Sequence, residues 1–325
     1  MNPNGRSKAK YVKKPELKGR TALVTGAGGY LGSWMVDKLH GSGATCVAMA
    51  GPVRPWSGEG QKRDEVTALQ VDLATASVDT LLRECGQVDH IFHMAAVGVS
   101  QATADFEQVA RVNLGGLMTV LAYAREVKAK SVVVTGSGFE YPSGRRIEEI
   151  TSPDPQAFYA VTKAAGSMTA IAFAQMFGLP VSVLRPFVVY GPGEAAHRLV
   201  TQVCRAVLSG QPVDITSGEQ LRDWIFVEDA IDAHLRAAII PASAGQVFNV
   251  ASGQAVSVRR VAELIADLAG ADRSLLRFGA RAGRAQEICE QSGCPKKAME
   301  ILGWTATTSL EAGLRKTLDW YRQHA

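Results

Sequence analysis

Short apolar runs alternate along the chain with longer segments of helical period. "TALVTGAGGYLGSWMVDKLHGSG" begins as a strand-like run, crosses a glycine-rich turn and continues as a helix. "ATCVAMA" reads as a second strand, and "HIFHMAAV", "SVVVTGSG" and "VSVLRPFVVYG" read as further buried strands. "ADFEQVARVNLGGLMTVLAYAREVK" and "AFYAVTKAAGSMTAIAFAQMFG" are the clearest helices. Apolar strands separated by amphipathic helices predict βαβ units and a parallel sheet. After Gly191 the pattern changes to short strands, loops and two helices, "SVRRVAELIADLAG" and "TSLEAGLRKTLDWYRQ". This predicts a smaller second lobe, with "VFNVASG" sending one strand back to the main sheet.

The glycines of "TGAGGYLG" fix what the first βα turn is for. Gly26, Gly29 and Gly32 stand in the spacing T-G-x-x-G-x-x-G, directly after a strand and at the start of a helix. Such glycines permit a tight turn, close approach of backbone to a pyrophosphate and close helix–strand packing. The helix start at Tyr30 and Leu31 offers amides and partial positive charge to phosphates. The expected fold is therefore α/β: a Rossmann-type doubly wound parallel sheet with a smaller C-terminal α/β substrate lobe. The dinucleotide-binding domain is expected over 19–190, with 225–250 returning to it, and the lobe mainly over 191–325.

Cofactor choice turns on the end of the second strand. NAD sites usually carry a carboxylate there for the adenosine ribose hydroxyls. This chain has Ala50, Gly51 and Pro52, followed by Arg54, which suits a 2′-phosphate. NADP(H) is thus favoured, with NAD(H) possible, and Lys62 and Arg63 are lesser phosphate partners. Asp72 in "LQVDL", next to Leu73, is placed to accept from the adenine amine or to cap the next helix.

Tyr159 and Lys163 lie four residues apart in a helical run, on one face. An ammonium about 4 Å away, at an effective dielectric near 20, favours the phenolate by about 4 kcal/mol before desolvation is subtracted. The expectation is a tyrosine tuned for proton transfer.

Composition adds little that is distinctive. The 325 residues are 46% hydrophobic and 20% charged, enough for a large core. Much of the net charge of +4 comes from residues 1–18, expected to be a basic disordered leader without the apolar region of a secretory signal. The near-neutral remainder argues against a nucleic-acid surface. No apolar run approaches the roughly 20 residues of a membrane helix. The five scattered cysteines suit free thiols in a reducing cytoplasm. His90 and His93 complete no metal-ligand set and are expected to be structural. His197 is expected in a loop, and Trp304 and Trp320 in lobe packing.

Taken in order, "TGAGGYLG", "VDL", "HIFHMAA", "VNLGG", "VVVTGSGFEY", "YAVTK", "LRPFVVYGPG", "LRDWIFVEDA", "VFNVASG" and "LGWTATTSLEAGLRKTLDWY" resemble the extended short-chain dehydrogenase/reductase family. Within that family they resemble the nucleotide-sugar branch of epimerases, dehydratases and 4-ketoreductases. The resemblance covers about residues 20–322. It implies that Tyr159 gives or takes the proton of a sugar hydroxyl or carbonyl. It implies that Lys163 binds the nicotinamide ribose and lowers the Tyr159 pKa. Ser137, chosen over Thr135 by its spacing to Tyr141, would bond the reacting oxygen. Asn113 resembles the family's helix asparagine, which stabilises a kink and a water, and it reads equally as a buried structural residue. Ala95 and Ala96 are small where family members bring backbone to the cofactor.

The resemblance also narrows the reaction. The 4,6-dehydratases carry Asp-Glu after the Ser/Thr, and here those places are Gly138 and Phe139. Without them the elimination lacks its general acid and base. The glutamate of uronate decarboxylases would fall at Phe139, while Glu140 stands one residue late. Two readings remain. Reduction of a 4-keto (deoxy)sugar nucleotide by NADPH is favoured, because "GSGFEY" resembles deoxysugar 4-ketoreductases and the strand-end carboxylate is missing. The alternative is an NAD-dependent 4-epimerase with tightly bound cofactor, and a non-catalytic NADP-binding scaffold is a third reading. Arg222 and Arg281 resemble the family's diphosphate clamps, with Arg284 standing where the second clamp's motif has Asp. Arg198 is a further nucleotide contact, and Gly138 and Phe139 join Ser137 on the sugar side. Asp223 is expected to be a structural partner. The resemblance implies a homodimer through the "VNLGG" and "YAVTK" helices.

Overall fold

The computed structural model describes residues 17–56, 65–98, 105–283 and 288–324. Lys62, Arg63 and Arg284 lie outside the described residues, as does 1–16 of the expected leader. Leu17 does not belong to that leader: it is 3% exposed and joins the core, and the Gly19 amide donates to the Gly43 carbonyl at 3.0 Å. The folded chain therefore begins by Leu17.

The chain opens with β1 (Thr21–Thr25), α1 (Tyr30–His40), β2 (Thr45–Ala50), β3 (Val66–Gln70), α2 (Val78–Cys85) and β4 (His90–His93). Next come α3 (Phe106–Ala110), a π-helical turn (Arg111–Gly116), α4 (Leu117–Glu126), β5 (Ser131–Thr135) and β6 (Gly144–Ile147). Then follow α5 (Phe158–Phe177), β7 (Val181–Pro186), β8 (Val188–Tyr190), α6 (Leu199–Ser209), β9 (Val213–Ile215) and β10 (Leu221–Phe226). The last elements are α7 (Val227–Ile239), β11 (Val247–Val250), β12 (Ala255–Ser257), α8 (Val258–Ala269), β13 (Leu276–Phe278), β14 (Glu290–Gly293), α9 (Lys296–Leu302) and α10 (Leu310–Gln323).

Seven parallel strands form the main sheet in the order β11-β7-β5-β4-β1-β2-β3. Strands buried on both faces read as continuous apolar runs, and β4, β5 and β7 are buried throughout. Their side chains alternate between two cores. Ala22, Val24 and Val133 face one, while Leu23, Val132 and Val134 face the other. The edge strand β3 carries Thr67 and Gln70 and is largely open. The chain leaves β1 towards β2 and β3, then returns to β4 on the other side of β1. This reversal opens the crevice in which doubly wound sheets bind ligands.

The lobe adds a second sheet, β12-β10-β14-β6 with β8 beside β10, and a small β9–β13 pair. Because β6 comes from the first half of the chain, the lobe's sheet reaches back over the C-terminal end of β5. Around Asn113 the helix widens into the π-turn, and a Cβ on Gly116 would come within 2.9 Å of the Leu73 side chain. Such turns often mark functional positions.

The first turn of α1 lies on the glycine loop itself. A Cβ on Gly32 would overlap the Gly26 carbonyl, which is backbone and has little room to move. Gly32→Ala should therefore lower unfolding stability by about 1–3 kcal/mol in urea titrations. A change within about 0.5 kcal/mol, the range of neutral surface substitutions, would contradict this packing.

Candidate active site

Three strand ends feed the crevice. After β1, Gly26 adopts φ +72°, and a Cβ there would lie 2.7 Å from the Ala95 backbone after β4. The Ala95 amide donates to Thr25 Oγ1 at 3.3 Å, so the two strand ends are tied together. Ala96 follows, half-buried. Gly29 is the N-cap of α1 and no side chain caps the helix, leaving its first turn suited to a pyrophosphate. Tyr30 and Leu31 open that turn. These features fit a dinucleotide.

The adenosine end is less polar. β2 ends at Ala50 without a carboxylate, and the exposed Arg54 brings its carbonyl, not its guanidinium, against Gly28. Asp72 is exposed and its Oδ1 accepts from the Ala74 amide at 2.9 Å. It does not cap α2; Ser77 does, in a reciprocal pair with Thr80. Leu73 is buried against Gly116.

After β5 the chain turns through Gly136 to Ser137, which caps a short 3-10 turn over Gly138, Phe139 and Glu140. Ser137 Oγ accepts from the Phe139 amide at 3.2 Å and keeps its own proton to donate. Glu140 does not face the crevice, because it is 0% exposed. Its carboxylate accepts from the Ser137 amide (2.7 Å), Ser167 Oγ (2.9 Å) and Arg185 Nε (2.7 Å). Gly138 is buried and its carbonyl accepts from Gln291 Nε2 at 2.9 Å, which pins the serine loop to β14 of the lobe. Phe139 is half-buried.

The α5 helix brings Tyr159 and Lys163 to this loop. Lys163 is 8% exposed and its Nζ donates to the Thr135 carbonyl. Thr135 is itself held by His234. Nδ1 of His234 meets the Ala230 carbonyl at 2.7 Å and must donate, so Nε2 accepts from Thr135 Oγ1 at 3.1 Å. Burial keeps His234 neutral, with its pKa pushed down to about 4. Burial also brings the Lys163 ammonium down to about 8, against an upward pull from Glu140. Tyr159 departs from expectation: its pKa is pushed up to about 12, first by desolvation and then by the Glu140 charge. The charge that pulls the other way is the Arg198 guanidinium, not the expected Lys163 ammonium, and desolvation outweighs it.

Asn113 is buried within the π-turn. Its Oδ1 accepts from the Val97 amide (2.9 Å), and its Nδ2 donates to the Val97 carbonyl (3.1 Å) and to Thr162 Oγ1 (2.9 Å). It joins the β4 loop to α5, and its Oδ1 keeps one lone pair for a further donor. A cavity of about 10 Å³ beside it, lined by His93, Thr135, Lys163 and Ser167 among others, has room for one water.

The arginines divide. Arg198, at the start of α6, is half-buried, pairs with Glu194 at 2.8 Å and acts electrostatically on Tyr159 and Tyr30. Arg222 is buried on β10, opposite Gln291 in register, and so lies one strand from the serine loop. Its neighbour Asp223 is a structural hub, accepting from the Ser252 amide and hydroxyl, the Gly253 amide and the Gly293 amide at 2.7–3.2 Å. Arg281 is exposed beyond β13, and its amide donates to the Ile215 carbonyl at 3.2 Å. It is not drawn to the serine loop. His197 is exposed. His90 and His93 are buried against Ser131 and Thr25, and among the described residues no group of three could hold a metal.

Glu194, Gln291 and His234 were not singled out from the sequence. Their spacing carries no motif, and only the fold brings them here.

The lowered Lys163 pKa has a definite sign. The unfolded lysine, near 10.5, binds its proton where the folded one, near 8, does not. Wild-type stability should therefore rise, relative to Lys163→Met, by about 3 kcal/mol as pH climbs from 8 to 10.5. Urea titrations across that range check this, and a constant difference would contradict it.

Comparison with known proteins agrees with the geometry. The model of the NAD dependent epimerase/dehydratase family matches residues 22–251. UDP-glucose 4-epimerase of Mycolicibacterium smegmatis is 30% identical over 312 residues, covering 92% of this chain and 98% of that protein. The solved structure of MoeE5 in complex with UDP-glucuronic acid and NAD is 31% identical, with a TM-score of 0.84 over 94% of this chain and all of that one (100%). GDP-6-deoxy-D-mannose reductase of Pseudomonas aeruginosa is 28% identical over 248 residues, covering 71% of this chain and 80% of that protein. The chain belongs to the NAD dependent epimerase/dehydratase family: it is an extended short-chain dehydrogenase/reductase, an enzyme that acts on a nucleotide sugar.

Proposed function

We propose that this enzyme is an NAD-dependent 4-epimerase of a UDP-sugar of the glucose or glucuronate type. The observation that carries the reading is the near full-length similarity to a UDP-glucose 4-epimerase, combined with a serine loop lacking the dehydratase carboxylates. The similarity to a reductase extends over less of the chain, so the initial preference for 4-keto reduction gives way to the epimerase. The missing strand-end carboxylate still favours NADP(H) and a ketoreductase as the second reading.

Gly26, Gly29 and Gly32 hold the pyrophosphate with the first turn of α1, and Ala95 and Ala96 flank the cofactor. Asp72 and Leu73 border the adenine, and Arg54 stands near its ribose. When bound, the nicotinamide supplies the reversible hydride chemistry at C4. Tyr159 takes the proton of the C4 hydroxyl and later returns it, while Ser137 donates a hydrogen bond to the same oxygen. Lys163 binds the nicotinamide ribose, and the Arg198 charge eases the ionisation of Tyr159 that burial opposes. Gly138 and Phe139 border the sugar, and Arg198, Arg222 and Arg281 serve the diphosphate. The few, scattered cysteines suit a reducing cytoplasm.

Exposed apolar side chains on α3 and α4 (Phe106, Met118) and α5 (Val161, Met168) support a homodimer built on these helices. Light scattering should give the mass of two chains; the mass of one refutes the dimer.

Denaturing the purified protein should release about one NAD per chain that dialysis had not removed. An empty protein that binds NADPH better than NADH would favour the reductase instead. Tyr159→Phe should lower turnover at least about 100-fold, and unchanged turnover would remove Tyr159 from the mechanism.

A further inference from the structure

We propose that Glu140 is the positioning residue of this active site: it ties the Ser137 loop to the Lys163 helix and sets the charge that both Lys163 and Tyr159 feel. The inference rests on the roles given above to Ser137, Tyr159 and Lys163.

The geometry is closed on every side. Within its own segment, Glu140 receives the Ser137 amide and so caps the turn that carries the catalytic serine. From α5 it receives the Ser167 hydroxyl, one turn beyond Lys163. From β7 it receives Arg185 Nε, whose Nη1 donates to Tyr141 Oη at 2.7 Å. Three donors and no exposure describe a carboxylate that acts only as an acceptor. A side chain on Gly136 would come within 2.5 Å of Glu140 Oε1, so the strand end is shaped around this group.

The charged and titratable groups facing Glu140 are Arg185 on β7, Lys163 and Tyr159 on α5, and Tyr141 beside it. Its negative charge favours protonated Lys163 and disfavours ionised Tyr159. Both effects place their ionisations at higher pH. Neutralising Glu140 should therefore move both limbs of the activity profile towards acid.

The test is Glu140→Gln, with turnover and NADH affinity (by fluorescence) followed across pH. Turnover should fall about 10–100-fold, and both limbs should move down by about one pH unit. The alkaline loss of NADH binding should move with them. Glu140→Asp, which keeps the charge on a shorter arm, should lose turnover and keep its limbs at the wild-type positions. Loss of turnover with unmoved limbs in Glu140→Gln would reduce Glu140 to a structural residue and overturn the proposal. If Glu140→Gln fails to fold, the double variant with Arg185→Met leaves no buried guanidinium unpaired and carries the same test. If the wild type turns over no UDP-sugar, the function reading fails. The pH dependence of NADH binding then decides the role of Glu140 alone.

Discussion

One carboxylate with no access to solvent holds the reacting segments of this protein together. Glu140 is paired with the guanidinium of Arg185, acts electrostatically on the ammonium of Lys163, and accepts from the loop that carries Ser137. Burying charges is costly unless they are paired and hydrogen-bonded, and here the pairing spans a strand, a loop and a helix. A shift of any of these segments costs the carboxylate a donor, and a shift of the strand costs it its paired charge. The same arrangement explains why Tyr159 is a weak acid in the free protein. Desolvation and an internal anion both oppose its ionisation, the cation that helps is Arg198, and the Lys163 ammonium is bonded to the Thr135 carbonyl.

Much of this was legible in the sequence, for identifiable reasons. Strands β1, β2, β4, β5 and β7 were legible because burial on both faces requires unbroken apolar runs. The glycine turn was legible because Gly26 and Gly32 stand where a Cβ would strike backbone. The paired Tyr159 and Lys163 were visible from helical spacing alone. What escaped depends on the third dimension. Glu140 seemed displaced by one residue from a familiar carboxylate position. Its side chain instead turns inward, because a 3-10 turn begins at Ser137. The edge strand β3 is too polar to show as a buried run. Gln291 and His234 reach the site from distant segments, Gln291 through β14 and His234 through α7.

The fold and the triad are shared by epimerases, dehydratases and reductases, so the reaction must be settled by what surrounds them. Gly138 and Phe139 remove the acid and base that an elimination requires. Between hydride return to the same sugar and net reduction, the protein's own groups are the same. The difference is whether the cofactor stays.

The most direct measurement follows a label at the reacting carbon. UDP-glucose carrying deuterium at C4 should be converted to its C4 epimer with the deuterium still at C4, because the hydride removed from the sugar is the one given back. Loss of the deuterium to a free nicotinamide cofactor, with no C4 epimer formed, would contradict the account.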